Sequence, residues 1–366
     1  MSSSDMDTWD RFLPNPPGEG GFRFASAHAG RRVLVTGAGG YIGSALIKAI
    51  ASAAPRCLVL LDSSEHNLFE IERHLELPHE GFLGSVDDTD LLDDIFSRFH
   101  PEIIYHAAAF KHVPLLELNP IAAVRNNVIG TWAAARAAVR HGASEFILIS
   151  TDKAVNPHSV MGVSKRIAEL AVVALSSAAC RMNAIRLGNV IGSSGSVVPV
   201  FLKQIAEGRS VAVTHPEASR WFLSLRETVE AILACGIAAC GAAACEGRIL
   251  LPDVGEPVRI AELAKFLIHA AGKEIPVRFT GLRPGDKLTE ELSYKTEVKD
   301  GFVEGPLEVI KTRRFAPAEF EDVMERLSGC IDSRDVSRLI RTLSSVVPEY
   351  LPSGLVLNSM ASAARV

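Results

Sequence analysis

Residues 32–43 read Arg32-Val33-Leu34-Val35-Thr36-Gly37-Ala38-Gly39-Gly40-Tyr41-Ile42-Gly43. The first five form a short apolar, β-branched run, which predicts a buried parallel strand. Gly37, Gly40 and Gly43 then recur where the strand gives way to a helix. Glycine there allows a tight turn close to a pyrophosphate, and the helix N-terminus holds the phosphate charge. The segment therefore predicts a dinucleotide site, with Tyr41 and Ile42 beside the phosphates.

An acidic residue follows at the distance that such a site requires. Asp62 ends a second predicted strand, Cys57–Leu61, and lies 19 residues after Gly43. A carboxylate there accepts hydrogen bonds from the ribose hydroxyls of NAD and repels the 2′-phosphate of NADP. Ser63 and Ser64 come next, with no arginine to bind a phosphate. The cofactor predicted from these residues is NAD.

Other small or polar residues are predicted at the same site. Gly84-Ser85-Val86 should close over the adenine, and Ala107 and Ala108 should pass beneath the cofactor after a strand at Ile103–His106. Asn127 should line the sheet from a long helix over Ala122–His141, although an asparagine that only packs helices would give the same pattern. The remaining cofactor residues predicted are therefore Ser85, Val86, Ala107, Ala108 and Asn127.

Strands alternate with helices through the first half of the chain, which predicts an α/β fold with a doubly wound, Rossmann-type parallel sheet. After about Arg186 glycine, serine and proline become frequent, which predicts a smaller C-terminal substrate-binding lobe. The expected organisation is a flexible or loosely docked lead-in at 1–30, an NAD-binding domain at 31–186 with 225–255 returning to it, a substrate-binding lobe at 187–224 and 256–300, and a C-terminal extension at 301–366.

Composition excludes several classes of protein. The chain has 366 residues, 48% of them hydrophobic, and a formal net charge of −5. No run rich in Lys and Arg occurs, so nucleic acid is not an expected partner. No apolar run reaches the ~18–20 residues that span a bilayer, and the polar N-terminus has no secretory pattern. We expect a cytoplasmic protein without a membrane span.

The six cysteines form no C-x-x-C pair. Cys235, Cys240 and Cys245 lie in an Ala-rich stretch that predicts a buried helix over Ala231–Ala244. Buried, reduced thiols are therefore expected, and no metal site.

The chemistry is predicted from Thr151-Asp152-Lys153, which follows a strand at Glu145–Ser150, and from Met161-Gly162-Val163-Ser164-Lys165. A Rossmann-type chain with Tyr four residues before that lysine would be typical of a short-chain dehydrogenase. Met161 stands there instead, and a thioether cannot carry a proton. Asp152 and Lys153 place an acid and a base side by side, which favours more than simple hydride transfer. A surface ion pair is the alternative.

Several motifs together resemble one family. They are His106-Ala107-Ala108-Ala109-Phe110-Lys111-His112-Val113-Pro114, Ser150-Thr151-Asp152-Lys153-Ala154-Val155-Asn156-Pro157, Val160-Met161-Gly162-Val163-Ser164-Lys165-Arg166, Gly188-Asn189-Val190-Ile191-Gly192-Ser193-Ser194-Gly195-Ser196-Val197-Val198-Pro199 and Gly281-Leu282-Arg283-Pro284-Gly285-Asp286-Lys287. With these, the chain resembles the UDP-N-acetylglucosamine 4,6-dehydratases of the polysaccharide-biosynthesis branch of the extended short-chain dehydrogenases/reductases, over roughly residues 30–295. Membrane-anchored members carry an N-terminal multi-span region that we do not find here, so a soluble form is expected. Tyr41 departs from the serine common in the glycine turn.

The resemblance implies catalytic roles. Lys153 would be the base at C5, Asp152 the acid at C6, and Thr151 would hydrogen-bond the C4 oxygen. Lys165 would hold the nicotinamide ribose, and Met161 would take a position beside the cofactor without proton chemistry. That position sets the chain apart from Tyr-bearing, C5-inverting members and favours retention at C5.

A UDP-sugar is the implied substrate. A guanidinium in Arg283-Pro284-Gly285-Asp286 can bridge diphosphate oxygens, and a loop of small residues can offer its amides. The residues predicted to bind the nucleotide sugar are Lys111, His112, Asn189, Ser194, Gly195, Val197, Arg220, Arg283 and Asp286. Ordinary loop charges at Lys111 and His112, a flexible turn at Gly192–Ser196 and a structural salt bridge at Arg220 are the alternatives.

Two other functions remain open. A nucleotide-sugar epimerase or reductase would need a tyrosine at the Met161 position. A catalytically silent nucleotide-sugar-binding subunit would not need Asp152, Lys153 and Lys165. A homodimer or higher homo-oligomer is expected from the helices that commonly pair in this fold.

Overall fold

The computed structural model describes residues 22–238, 247–303 and 307–363. The strands in these ranges are β1 (Arg32–Thr36), β2 (Cys57–Asp62), β3 (Glu80–Leu83), β4 (Ile103–His106), β5 (Glu145–Thr151), β6 (Arg181–Leu187), β7 (Asn189–Val190), β8 (Val211–Val213), β9 (Ser219–Arg220), β10 (Phe222–Leu223), β11 (Arg248–Pro252), β12 (Val258–Arg259), β13 (Val277–Phe279), β14 (Val298–Val303) and β15 (Leu307–Lys311). The α-helices are α1 (Tyr41–Ala51), α2 (Glu65–Glu72), α3 (Thr89–Phe99), α4 (Val113–Leu118), α5 (Pro120–Val124), α6 (Gly130–Arg140), α7 (Val160–Leu175), α8 (Val197–Ala206), α9 (Leu225–Ala238), α10 (Ile260–Ala270), α11 (Pro317–Asp332), α12 (Val336–Val346) and α13 (Gly354–Ala363).

A nine-stranded sheet forms the core, in the order β3-β2-β1-β4-β5-β6-β11-β15-β14. The first seven strands run parallel, and β15 and β14 close one edge antiparallel. The central strands are apolar and buried, as expected for a sheet covered by helices on both faces. The predicted doubly wound α/β fold is confirmed. Its strand order reverses between β1 and β4, and ligands bind at the carboxyl ends there.

The C-terminal lobe is built from short elements around a second core. Strand pairs β7–β10, β8–β13 and β9–β12 hold helices α8 and α10 together. Phe201, Ile205, Leu263 and Leu267 are buried between them. This lobe stands beside the carboxyl edge because β7 follows β6 after a single residue.

The segment that returns to the Rossmann domain supplies helix α9, which packs on the sheet with Ile232 and Cys235 in its core, and strand β11, which pairs with β6 inside the sheet. The helix predicted over Ala231–Ala244 begins earlier, at Leu225, and is described as far as Ala238. Cys240 and Cys245 lie outside the described residues. Cys180, Cys235 and Cys330 are buried free thiols, and Cys57 is half-buried.

The chain from Val298 onward continues the main fold. Strand β14 begins before the expected boundary at residue 301, and β14 and β15 complete the sheet. Helices α11 and α12 cover α7, in which fifteen of sixteen residues are buried. The Trp132 and Phe320 rings lie 5.4 Å apart in this contact. The outer face of α7 is therefore covered by the same chain, and homo-oligomerisation stays a prediction.

The described part of the N-terminal lead-in, residues 22–30, packs against the sheet. Ala25 and His28 are buried, and the His28 Nε2 and Tyr105 Oη atoms are 2.7 Å apart. Phe22 and Phe24 pack against the core of the sheet. From residue 22 onward the lead-in is therefore docked and not flexible, because two aromatic side chains and a buried hydrogen bond hold it. Residues 1–21 lie outside the described residues.

The helix predicted over Ala122–His141 contains a turn of different geometry. A π-helical segment, Arg125–Ile129, separates α5 from α6. Such segments widen the backbone locally and often occur at functional sites. None of the helices in the described ranges is both long enough and apolar enough to span a bilayer.

Candidate active site

The turn after β1 brings α1 against the neighbouring strand end. Gly37 has a φ of 66°, and a Cβ atom there would lie 2.7 Å from the Ala108 nitrogen. A Cβ atom on Gly43 would overlap the Gly37 carbonyl oxygen, and Gly40 is the N-cap of α1. Glycine at positions 37 and 43 therefore lets β1, α1 and the chain at Ala107 and Ala108 approach closely. The first N–H groups of α1 have no partners within the helix, which is the arrangement that binds anions at helix N-termini.

The Asp62 carboxylate is fixed beside this turn. Its Oδ2 accepts a 2.9 Å hydrogen bond from the Gly39 N–H, and its Oδ1 accepts one of 2.8 Å from the Ser64 N–H. Each carboxylate oxygen keeps a further lone pair. The arrangement suits a group that accepts hydrogen bonds from ribose hydroxyls.

Ser85 and Val86 follow β3 on the far side of the turn. The Ser85 hydroxyl donates to the Asp87 carboxylate. Val86 is buried against the π-helical segment, and a Cβ atom on Gly130 would lie 2.6 Å from its Cγ2. Ser85, Asp87 and Phe110 line a cavity of about 390 Å³.

The Asn127 side-chain amide makes hydrogen bonds to other residues of the chain. Asn127 is fully buried, and its Oδ1 accepts a 2.8 Å hydrogen bond from the Phe110 N–H. Its Nδ2 donates to the Phe110 carbonyl and to Ser164 Oγ, both at 3.0 Å. Both amide hydrogens are therefore used within the fold. The contacts match the structural alternative, in which Asn127 ties the chain after β4 to the helix that carries Lys165.

Lys165 lies on α7 below the sheet edge. It is 4% exposed, and no described residue accepts a hydrogen bond from its Nζ. Burial lowers its pKa to about 8, although the Glu169 charge opposes this shift. His106, at the end of β4, is fully buried between the Thr36 and Thr131 hydroxyls. Burial and the Lys165 charge lower the pKa of His106 to about 3, so the ring is neutral.

A buried ion network holds α7 behind Lys165. Glu169 Oε1 accepts hydrogen bonds from Ser150 Oγ at 2.7 Å and Arg186 Nε at 2.9 Å, and its Oε2 accepts from Arg186 Nη2 at 2.8 Å and Arg166 at 3.0 Å. Arg186 also donates to Glu297 at 2.7 Å. Burial acts to raise the pKa of Glu169, but the charge of Arg186 and its hydrogen bonds lower it. The ionised network fixes α7 against β5 and β6.

The predicted acid and base meet at the carboxyl end of β5. Asp152 Oδ1 accepts hydrogen bonds of 2.9 Å from Thr151 Oγ1 and from Lys153 Nζ. Lys153 Nζ also donates to Asn189 Oδ1 at 2.9 Å. Asp152 is fully buried, and its Oδ2 has no hydrogen-bond partner in the part of the chain that the structure describes. This oxygen is therefore buried and unpaired, and the contacts of Asp152 differ from those of a solvated surface pair.

Met161 lies one turn before Lys165 on α7. It is 4% exposed and packs in the apolar cluster shared with Val160 and Val163. Its carbonyl oxygen accepts a 2.7 Å hydrogen bond from Ser164 Oγ. The position thus carries an apolar side chain where a phenol would provide a proton.

The two lobes approach each other at His112. A Cβ atom on Gly195 would lie 2.6 Å from His112 Cε1, so the ring rests against the loop before α8. Ser194 and Gly195 are exposed on that loop, and Val197 begins α8. Burial lowers the pKa of Lys111 and of His112. His112 and Gly195, two of the predicted substrate residues, therefore meet at the cleft between the two lobes.

Tyr41 joins the glycine turn to the same loop. Its hydroxyl donates a 2.8 Å hydrogen bond to the Ile191 carbonyl, and a Cβ atom on Gly192 would lie 2.6 Å from that hydroxyl. Burial raises the pKa of Tyr41, so the phenol stays protonated. Ile42, the next residue, packs on the sheet core. Tyr41 thus has contacts that the smaller serine could not make.

The arginines predicted to hold a diphosphate differ in their contacts. Arg220 donates to three carbonyl oxygens at 2.7–3.0 Å, those of Ser219, Lys287 and Leu288. The Arg220 Nε is also 3.8 Å from Glu290 Oε1, an ion pair of the kind expected in the structural alternative, and the role of Arg220 in substrate binding stays a prediction. Arg283 is 59% exposed and donates to Asp286 Oδ2 at 2.8 Å. Arg283 therefore remains accessible to an anion.

Sequence reasoning missed three buried residues near the catalytic turn, Lys287, Glu290 and Tyr294. The Lys287 Nζ donates to the Val155 carbonyl and the Tyr294 Oη to the Ala154 carbonyl, both at 2.7 Å. The adjacent pair Glu290-Glu291 is the one sequence feature that marks this segment. Because glutamate is rarely buried, the pair by itself does not predict a buried carboxylate. Nothing in the sequence indicated which of the two lies inside.

The sheet order and the glycine turn define a Rossmann-type protein with a dinucleotide-binding fold. The fold resembles the dTDP-glucose 4,6-dehydratase DesIV of Streptomyces venezuelae, with a TM-score of 0.62 at 22% identity, over 72% of this chain and 88% of that one. The chain belongs to the family described as polysaccharide biosynthesis protein, whose model matches residues 33–308.

Two curated relatives fall in the same family. The probable polysaccharide biosynthesis protein EpsC of Bacillus subtilis is 43% identical over 280 residues, covering 74% of this chain and 46% of its own. The UDP-N-acetylglucosamine 4,6-dehydratase (inverting) of Campylobacter jejuni is 31% identical over 267 residues, covering 71% of this chain and 76% of its own. This chain therefore spans about half the length of EpsC. Its relatives include nucleotide-sugar dehydratases and epimerases.

Proposed function

We propose that this protein is an NAD-dependent 4,6-dehydratase of a UDP-N-acetylhexosamine, with UDP-N-acetylglucosamine as the substrate. The observation that carries the proposal is the Thr151-Asp152-Lys153 cluster, which packs against the start of α7 near Gly162, with Met161 on that helix at the position of the usual phenol. An acid and a base share one hydrogen-bonded site there. Elimination of water across two adjacent sugar carbons needs that combination, whereas epimerisation does not.

The residues present fit NAD. Gly37 and Gly43 leave room that a Cβ atom would fill, and Asp62 keeps free lone pairs. The buried Lys165 ammonium has no acceptor among the described residues, which suits a group that donates to ribose hydroxyls. When bound, NAD⁺ would supply oxidation by taking hydride from C4 and would return that hydride to C6.

Thr151 and Asp152 would move one proton between two sugar oxygens. Thr151 Oγ1 already donates to Asp152 Oδ1, so it can accept the C4 hydroxyl proton while passing its own to the carboxylate. Asp152 then holds the proton that the C6 hydroxyl needs in order to leave as water. The proton lost at O4 therefore departs in that water, and Met161 takes no part.

Lys153 would act at C5. Once C4 is a ketone, the C5–H is acidic, and the neutral Lys153 amine can take that proton. The same ammonium then returns a proton to C5 as hydride reaches C6. Because one group removes and returns the proton from one face, the configuration at C5 is retained. The name of the Campylobacter relative specifies inversion for that protein, so C5 stereochemistry is a separate test.

The deciding experiment is mass spectrometry of UDP-N-acetylglucosamine incubated with the protein in D₂O, first without and then with added NAD⁺. Loss of one water with gain of one deuterium is the expected result, and nuclear magnetic resonance of the product should show the original C5 configuration. Isomerisation at unchanged mass would establish an epimerase instead. Absence of reaction with several UDP-hexoses, despite bound NAD⁺, would establish a silent binding subunit.

A further inference from the structure

The catalytic turn is supported from behind by the segment Lys287–Tyr294. The Ala154 and Val155 carbonyls leave this turn, and each accepts a 2.7 Å hydrogen bond from the segment. The two donors, Tyr294 and Lys287, are 4% and 7% exposed. The segment and the turn are thus joined at two buried points, although they lie more than 130 residues apart in the sequence.

Glu290 lies between these two points and is incompletely paired. It is 4% exposed, and its Oε2 accepts no hydrogen bond from the described residues. The Lys287 Nζ is 3.7 Å from Oε2, and the Arg220 Nε is 3.8 Å from Oε1. Both distances are within ion-pair range but beyond a hydrogen bond. A buried carboxyl in this state keeps its charge at a considerable cost.

Four charged groups face the Glu290 carboxyl. Burial raises its pKa, the Asp152 charge raises it further, and the charges of Lys153, Arg220 and Lys287 oppose that rise. Glu290 is therefore placed to exchange a proton closer to neutral pH than an exposed glutamate. Since Asp152 and Lys153 act on Glu290, the charge of Glu290 acts equally on them.

We propose that Glu290 is a positioning residue whose charge controls how readily the Asp152–Lys153 pair holds its proton. The inference rests on the proposed dehydration. During elimination Asp152 gives a proton to O6 and Lys153 takes one from C5, so both groups must be proton carriers at one stage. An ionised Glu290 stabilises the protonated form of the Asp152–Lys153 pair, and a neutral Glu290 favours loss of the proton from that pair. Glu290 itself touches no substrate atom in this scheme.

The test compares Glu290→Gln with Glu291→Gln. Glu291 is the matched control, because it carries the same charge, lies 3.8 Å from Lys287 and is 46% exposed. In Glu290→Gln the acidic limb of the kcat/KM profile should move to lower pH by about one unit, the size expected for one nearby charge in a partly buried site. Glu290→Asp should keep the wild-type profile. Identical profiles for the two glutamine variants would overturn the proposal, and so would a limb that does not move in Glu290→Gln.

A second measurement does not depend on turnover. Infrared difference spectra between a pH in the acidic limb and a pH above it should contain the band of a protonated carboxyl in wild type and Glu291→Gln, and this band should be missing in Glu290→Gln. Its presence in Glu290→Gln would overturn the proposal even if the enzyme is active. A wild-type protein with the band but without dehydratase activity would instead overturn the proposed function alone.

Discussion

The Tyr41 hydroxyl donates a 2.8 Å hydrogen bond to the carbonyl oxygen of Ile191. Tyr41 is the first residue of α1, and Ile191 precedes the loop that His112 contacts. The bond therefore links the glycine turn to the cleft side of the smaller lobe.

Tyr41→Phe should weaken substrate binding by releasing the Ile191 loop. A buried hydrogen bond is worth about 1 kcal/mol, which corresponds to roughly a fivefold rise in KM for the UDP-sugar with kcat nearly unchanged. Steady-state kinetics would measure both. Tyr105→Phe is the control, since it removes a phenol bonded to His28 away from the cleft. A fall in kcat with an unchanged KM would contradict the role given to Tyr41.

NAD⁺ affinity should fall as pH rises through about 8, because Lys165 loses its charge there. Lys165→Met should lower the affinity by about tenfold or more at pH 7, since a hydrogen bond from a charged group is worth about 1.5–3 kcal/mol. Lys165→Arg keeps its charge and should bind equally at pH 7 and 9. Fluorescence titration would measure the dissociation constants, with the exposed Lys48→Met as control. Equal wild-type affinity at both values of pH would refute the assignment.

Thr151→Val should reduce kcat by about a hundredfold or more, the usual range for loss of a positioned proton carrier. Met161→Leu should leave kcat within about threefold, because the side chain carries no proton and leucine has a similar volume. Rapid-quench turnover of the two variants, checked for equal melting temperatures, gives the comparison. The proton route through Thr151 is wrong if the ranking of the variants is reversed.

The protein should become less stable as pH falls below 6.5, the pKa of His106 in the unfolded chain. In the folded protein His106 has a pKa of about 3, whereas in the unfolded chain its pKa is 6.5. Stability present above 6.5 is therefore lost on acidification, by about 2 kcal/mol between pH 7 and 5. Urea unfolding of His106→Asn should lack this part of the pH dependence, and the exposed His66→Asn should keep it. Parallel slopes for both variants would count against it.

Arg186→Met should destabilise the fold strongly. It leaves Glu169 and Glu297 buried without their main partner, which costs about 3–5 kcal/mol. Arg98→Met removes an exposed pair with Asp94 and should cost less than about 1 kcal/mol. Chemical denaturation of both variants tests the contrast. Similar losses from the two would show that the buried network is not a stability element.

Local patterns predicted the sheet well. The strands at Arg32–Thr36 and Ile103–His106 have the predicted bounds, because continuous apolar runs next to glycine or small residues define them. The glycine turn was equally predictable, since its spacing follows from steric contacts within one β-turn-α unit. The Thr151-Asp152-Lys153 cluster could be found for the same reason, as neighbours in sequence remain neighbours after a strand ends.

Long-range contacts could not be predicted in this way. The commitment of Asn127 to Phe110 and Ser164 depends on a π-helical turn that no residue pattern marks. Glu290 becomes important only because the chain brings it behind a turn more than 130 residues earlier. The docking of Phe22 and Phe24 likewise needs the finished sheet, so the polar composition around them left a flexible and a docked lead-in as alternatives.

The cover of α11 and α12 over α7 has a consequence for the order of folding. Helix α7 carries Met161 and Lys165, yet the apolar residues that bury its outer face, among them Phe320 and Leu339, are made some 150 residues later. During synthesis the strands of the parallel sheet therefore emerge from the ribosome before α11 and α12, and the outer apolar face of α7 is still exposed at that stage. A chain stalled before residue 317 should therefore bind chaperones. It should bind the cofactor only after α11 and α12 have been synthesised.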